Sequence, residues 1–170
     1  LDLPNLEFHE QVYPIRYRRW ELRIDAAGAG LRRGGTGMRY EADILVPCVW
    51  SFRAEGLDTP SGYGIEGGAP GAVGEQTIEP IGGEPFTPPK YGVRRLGPTR
   101  IIADTPGGGG WGDPFKRLPE LVLRDVRDGV VSKDVAERDY GVAISANVDS
   151  VDRRRTQVLR SIRGDESRQK

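Results

Sequence analysis

At 170 residues, with 24 glycines and 13 prolines, the chain can bury one core of its own but is too rich in chain breakers to be built from long helices. Its 25 basic and 25 acidic residues cancel, which leaves no electrostatic footprint for nucleic acid or an anionic membrane. Cys48 is the single cysteine, so no intrachain disulfide can form and a reducing compartment is expected; no apolar run approaches the ~20 residues of a membrane helix.

In chain order, the first residue is Leu1 rather than methionine and no signal-peptide pattern follows it. A processed, truncated or excised piece is expected. Trp20, Leu22 and Ile24 form one face of a strand. Asp25–Gly37 follows, glycine-rich and arginine-bearing, with more residues than a tight hairpin needs. From Met38 the apolar residues fall on even positions: Met38, Tyr40, Ala42, Ile44, Val46, Cys48, Trp50 and Phe52. Period two predicts a strand with one buried face, bent or interrupted at Pro47. Cys48, inside that run, reads as a buried structural thiol. Residues 55–90 are dominated by turn formers, and Gln76–Glu79 is the only strand expected there.

Thr99–Asp104 is another short strand, and it delivers the chain into Thr105-Pro106-Gly107-Gly108-Gly109-Gly110-Trp111-Gly112-Asp113-Pro114. Beyond this loop the period becomes helical. Pro119 suits the first helical position, Leu121, Val122 and Val126 make an apolar stripe, and Gly129 is a natural terminator. Ser132 can cap a second helix that runs to Tyr140 and stops at Gly141. Residues 151–162 read as a third, weaker helix and 163–170 as a frayed tail. The expected fold class is therefore α+β: a strand-rich, glycine-rich first two-thirds, then two or three short helices. Residues 1–163 form one domain in this reading, and 164–170 a disordered tail.

Four consecutive glycines are costly to order. Gly107–Gly110 therefore imply either close approach of another surface, expected to be a neighbouring domain or subunit, or several positive φ angles. Trp111 and Pro114 argue against a floppy linker. Exposed N–H groups in such a loop can form an anion nest, but no Lys-Ser/Thr follows, so this is not a Walker A loop. Gly62-Tyr63-Gly64-Ile65-Glu66-Gly67 satisfies the dinucleotide GxGxxG pattern only literally, because no strand precedes it and no helix follows. Asp113 suits a turn cap better than a catalytic role. Arg32-Arg33-Gly34-Gly35 offers two guanidinium forks that could clamp a carboxylate or phosphate, or brace a loop against acidic partners elsewhere in a larger protein. His9 is the only histidine, there is no CxxC and no GxSxG, so neither a self-contained zinc site nor a nucleophile elbow is expected.

The segment from Thr105 through Pro119–Gly129 to Tyr140-Gly141-Val142 resembles the C-terminal part of the hydantoinase B/5-oxoprolinase family, in which a GGGGxGDP loop precedes two short helices ending in YGV. Tyr13-Pro14, Trp20–Asp25, Gly28–Gly37 and Gly67-Gly68-Ala69-Pro70-Gly71 extend the likeness over roughly residues 4–160. One departure is Ala26-Ala27, where the family usually has Ser-Gly. The resemblance implies a fragment or small subunit of an ATP-dependent cyclic-amide hydrolase of the 5-oxoprolinase or N-methylhydantoinase type. There a partner A component binds ATP and phosphorylates the amide oxygen, and the B component opens the ring; relatives serve ATP-dependent ketone carboxylases.

The family's metal-binding Asp and His residues lie in its N-terminal portion, and nothing here matches them. What the resemblance implies for this chain is scaffold, interface and one glycine-lined wall of a substrate cavity, with Arg32, Arg33, Gly34, Gly35, Gly107, Gly108, Gly109, Gly110, Trp111 and Asp113 as the candidate lining residues. The chain itself would bind no cofactor or metal, ATP and a divalent metal being held elsewhere in a cytoplasmic complex with a hydantoinase A-type ATP-binding component and the N-terminal part of the hydantoinase B component. The alternative is a non-enzymatic module that stabilises an assembly, which Leu1 and Ala26-Ala27 favour. No complete active site is present in the sequence.

Overall fold

The computed structural model describes residues 5–166. It is α+β. Helix α1 (Leu6–Val12) leads into strands β1 (Ile15–Leu22), β2 (Met38–Ile44), β3 (Cys48–Arg53), β4 (Glu75–Pro80), β5 (Tyr91–Leu96) and β6 (Thr99–Asp104). A 3-10 turn (Pro114–Lys116) follows, then helices α2 (Pro119–Arg127), α3 (Lys133–Tyr140) and α4 (Arg153–Glu166). Helix α4 is longer than the expected 151–162 and includes positions assigned to the tail; residues 167–170 lie outside the described residues.

The strands form a four-stranded antiparallel sheet in the order β1-β2-β6-β4 and a separate two-stranded ribbon, β3-β5. The interruption expected at Pro47 is thus a change of sheet: one alternating run supplies β2 to the first and β3 to the second. Three elements are not legible in the sequence, in whole or in part. Helix α1 buries no residue and has no apolar stripe to announce it; its start is set by the Asn5 carboxamide oxygen, which accepts from the Glu7 and Phe8 amides at 2.9 and 3.3 Å. The alternation of β1 is broken by a register shift between Tyr17 and Arg19. Strand β5 carries Gly92 and two arginines and is exposed over much of its length, so its pattern is not that of a half-buried strand. Cys48 is half-buried in the ribbon, a correction to the fully buried thiol expected.

The helical caps follow the sequence. Ser132 Oγ accepts from the Val135 amide at 3.2 Å, and Gly141 closes α3 in the left-handed conformation with φ 61°. The main core lies here: Val122, Leu123, Val130, Val131, Ala136, Tyr140, Val142 and Ile144 pack together with Ala29 from the glycine-rich segment. Burial pushes the Tyr140 phenol up to about 12.

One face of the four-stranded sheet is charged, because Arg39, Glu41 and Asp43 stand in register with Asp104, Ile102 and Arg100. Asp104 is bound by Arg39 Nε at 2.7 Å, and Asp43 by Arg18 at 2.7 Å and Arg100 at 2.8 Å. The Arg39 hydrogen bonds hold the Asp104 carboxyl below the usual carboxylate range. At Asp43 burial pushes upward, but hydrogen bonds from Arg100 and Arg18 outweigh it and the net direction is down. A depressed carboxyl binds fewer protons folded than unfolded. Its stabilisation is therefore complete above the unfolded value of about 3.9 and is lost as pH falls through the folded one. Denaturant midpoints measured from about pH 7 to about pH 2 should hold steady and then drop below about pH 4. Asp104→Asn should be less stable at neutral pH and show a shallower acid decline. Parallel profiles for the two proteins would contradict this.

Candidate functional site

The glycine loop is the centre of a bundle made by five passes of the chain's own backbone. Gly107 N–H donates to Ala72 O at 3.0 Å, and three residues on Gly110 N–H donates to Ala69 O at 2.9 Å. Gly108 N–H donates to Gly35 O at 2.8 Å, and three residues on Trp111 N–H donates to Arg32 O at 2.9 Å. Gly109 lies against Tyr63 and Gly62, and three residues on Gly112 N–H donates to Ile65 O at 2.9 Å. Each neighbouring segment is thus met once every three residues. That is the period of a polyproline-type helix, which makes no internal hydrogen bonds and turns its N–H groups outward in three directions. Segment 26–29 adds a further layer, with Ala26 O and Ala29 O accepting from Ala72 and Ala69 at 2.8 and 2.7 Å.

This packing demands glycine by proximity, not by φ. None of Gly107–Gly110 lies in the left-handed region. A Cβ on Gly107 would stand 1.7 Å from Ala26 O, on Gly109 1.6 Å from Tyr63 O, and on Gly110 2.1 Å from Ala29 O. The close surface expected from the sequence is therefore present, but it is the chain's own and not that of another domain or subunit. The anion-nest reading also fails, because the N–H groups of Gly107, Gly108, Gly110, Trp111 and Gly112 already donate to carbonyls. The literal GxGxxG of residues 62–67 is one of the bundle's passes and opens no helix.

Arg32 and Arg33 part company. Arg33 turns inward, its Nη1 donating to Gly34 O at 2.7 Å and its Nε standing 3.4 Å from Asp125. Arg117 Nη2 reaches the other oxygen of that carboxylate at 2.9 Å, so the acid that Arg33 braces belongs to α2 of this chain. Arg32 turns outward over the Trp111 ring, with its guanidinium carbon 5.7 Å from the centroid. No two-arginine clamp forms. Asp113 caps the 3-10 turn, accepting from the Phe115 amide at 3.0 Å.

What the bundle presents to solvent is an aromatic and cationic tip. Trp111, Tyr63 and Ile65 are 45%, 77% and 56% exposed, and Trp111 is bridged to both Arg32 and Ile65. In the sequence Tyr63 and Ile65 read only as turn residues. The spacing Gly62–Ile65–Gly68–Gly71, three residues at each step, is the signal that marks them. Asp25 ties the bundle to the helices: it sits at φ 59° and its carboxylate accepts from the Ser132 amide at 2.7 Å. Among the described residues no group of three or more His, Cys, Asp or Glu side chains could hold a metal ion, and no helix is long and apolar enough to cross a membrane.

The family model described as hydantoinase B/oxoprolinase matches residues 1–114. The chain belongs to the hydantoinase B/oxoprolinase family. It is 36% identical over 154 residues to the beta subunit of the caprolactamase of Pseudomonas jessenii, covering 84% of this chain and 26% of that protein. It is 32% identical over 162 residues to the B subunit of a putative D-/L-hydantoinase of Pseudomonas sp. (strain NS671), covering 92% of this chain and 27% of that one. The crystal structure of the ATP-dependent caprolactamase from Pseudomonas jessenii superimposes with a TM-score of 0.69 at 32% identity, over 92% of this chain and 28% of that one. Nucleotide-free acetone carboxylase shares the fold, with a TM-score of 0.72 at 22% identity, over 99% of this chain and 27% of that one. The chain thus spans about a quarter of the length of the hydantoinase B relatives it matches.

Proposed function

We propose that this chain is the scaffold and interface region of a hydantoinase B-type subunit in a cytoplasmic, ATP-dependent cyclic-amide hydrolase. The observation that carries the reading is the glycine bundle, a rigid backbone framework that displays Trp111, Arg32, Tyr63 and Ile65 at its tip. Trp, Tyr and Arg are the residue types that dominate the energetics of protein interfaces, and a framework held by backbone hydrogen bonds loses little freedom on association. ATP and a divalent metal are held by other parts of the assembly, an A-type ATP-binding subunit and the remainder of the B-type one. The higher identity to the caprolactamase and hydantoinase subunits than to the acetone carboxylase structure favours amide hydrolysis over carboxylation.

A chimaera tests this. In the beta subunit of the Pseudomonas jessenii caprolactamase, the region aligned to this chain is exchanged for the present 170-residue sequence, and the product is reconstituted with its companion. ATP-dependent caprolactam hydrolysis well above that of a protein lacking the region is the expected result. A chimaera that assembles no better and hydrolyses no faster than the deletion would sink the reading.

A further inference from the structure

The register of the ribbon places Val49 opposite Arg95, Ser51 opposite Val93 and Arg53 opposite Tyr91, so these six side chains share one face. All six are exposed, and Val49, Tyr91 and Val93 are 57%, 58% and 67% so. Their neighbours on the other face, Trp50 and Phe52, stack with each other, and Phe52 packs edge-on against Phe86. The inner face is therefore seated on the body of the molecule. On the outer face Tyr91 donates its hydroxyl to the Glu55 carboxylate and lies under Lys90, Glu55 being paired with that lysine, and no further element covers the face among the described residues. The outer face contains no acidic residue; among the described residues neither Arg53 nor Arg95 forms an ion pair. The two arginines sit at diagonal corners, roughly 14 Å apart along the strands, with the apolar side chains between them.

We infer that this outer face is where the region docks onto the remaining part of a hydantoinase B-type subunit, against a patch that presents carboxylates around an apolar centre. The inference rests on the function proposed above. Two observations select the occupant. The unbalanced pair of arginines calls for an acidic complement, and nearly three-quarters of the length of the matched relatives lies outside the aligned region. A two-stranded ribbon covered on one face only is marginal in water and gains most from a second layer.

Amide hydrogen exchange on the free 170-residue chain and on the chimaeric protein decides the matter. The expected result is that amides of residues 49–53 and 91–95 exchange at least about tenfold more slowly in the chimaera. Arg53→Glu with Arg95→Glu should return them toward the free-chain rate, while Arg154→Glu, an exposed reversal on α4, should not. Equal exchange in the free chain and in an active chimaera overturns the docking face and leaves the functional reading standing. An inactive chimaera with an unprotected ribbon overturns both, and protection without activity upholds the docking face alone. Protection in the free chain that rises with its concentration makes a second copy the occupant and overturns the proposal.

Discussion

Gly109→Ala is expected to cost about 4 kcal/mol or more, a large share of the roughly 5–15 kcal/mol available to a domain. The added methyl carbon would lie 1.6 Å from Tyr63 O and 2.3 Å from the carbonyl carbon behind it. Both are backbone atoms of a segment that is itself bonded into the bundle, so neither can step aside. Gly107→Ala meets Ala26 O at 1.7 Å and should behave alike. At Gly108 the nearest atom is Gly35 N at 3.1 Å, which a shift of a few tenths of an ångström relieves, so a smaller loss is expected. Gly35 is the control: nothing lies within 4 Å of its built Cβ and its φ is not left-handed. There alanine should be neutral or stabilise by up to about 1 kcal/mol through the unfolded chain. Circular dichroism and denaturant unfolding of the four variants give the order directly. Equal stability of Gly109→Ala and Gly35→Ala would refute the bundle. The damage falls on the chain's own fold, without any partner present.

The sequence carries helices α2 and α3 well, and the reason is local. Pro119, Gly129, Ser132 and Gly141 act through cap geometry that needs no knowledge of the rest of the chain. Strand β6 is equally plain, a short apolar run whose ends are set by Pro98 and the loop after Asp104. What cannot be read is anything decided by pairing across distance. The run from Met38 to Phe52 shows a break at Pro47 but not that its halves join different sheets, since alternation is a property of one strand and the sheet is a property of several. The glycine loop shows the same limit. Its need for close approach is legible from composition, but the approaching surface consists of residues 26–35 and 62–72, turn-like segments whose three-residue period is visible only when they are laid side by side.

The Ala26-Ala27 departure is resolved in the same way. Ala26 is buried at 1% exposure and contributes its carbonyl, not its side chain, to the bundle. Ala27 is not among the residues with positive φ, so a glycine there would gain nothing from its freedom; the strained position is Asp25 beside it. The contacts that hold this turn are therefore backbone ones, which an alanine supplies as well as any other residue.

Asp125→Ala is the second large effect expected, about 3–5 kcal/mol of destabilisation. The carboxylate is almost fully enclosed, at 5% side-chain exposure, and faces Arg117 at 2.9 Å and Arg33 at 3.4 Å, which are themselves 9% and 20% exposed. Removing it leaves two guanidinium groups in a place where water reaches little of either, with Arg117 still held to Leu31 O at 3.1 Å and Arg33 to Gly34 O. The loss is thus the cost of stranding buried charge, more than the worth of the pair. A second set of substitutions separates the two. If the triad is replaced whole, with Asp125→Leu, Arg117→Met and Arg33→Met together, much of the stability should return, because no uncompensated charge remains. Glu120→Ala, whose pair with Arg153 is exposed at both ends, should change little. Denaturant unfolding of the single, triple and control variants provides the comparison. Because Arg33 links the bundle to α2, Asp125→Ala should also speed hydrogen exchange at Gly34 and Gly108 beyond the global loss. A triple variant as unstable as the single one would show that the ionic triad, not the avoidance of stranded charge, holds the helices to the glycine bundle.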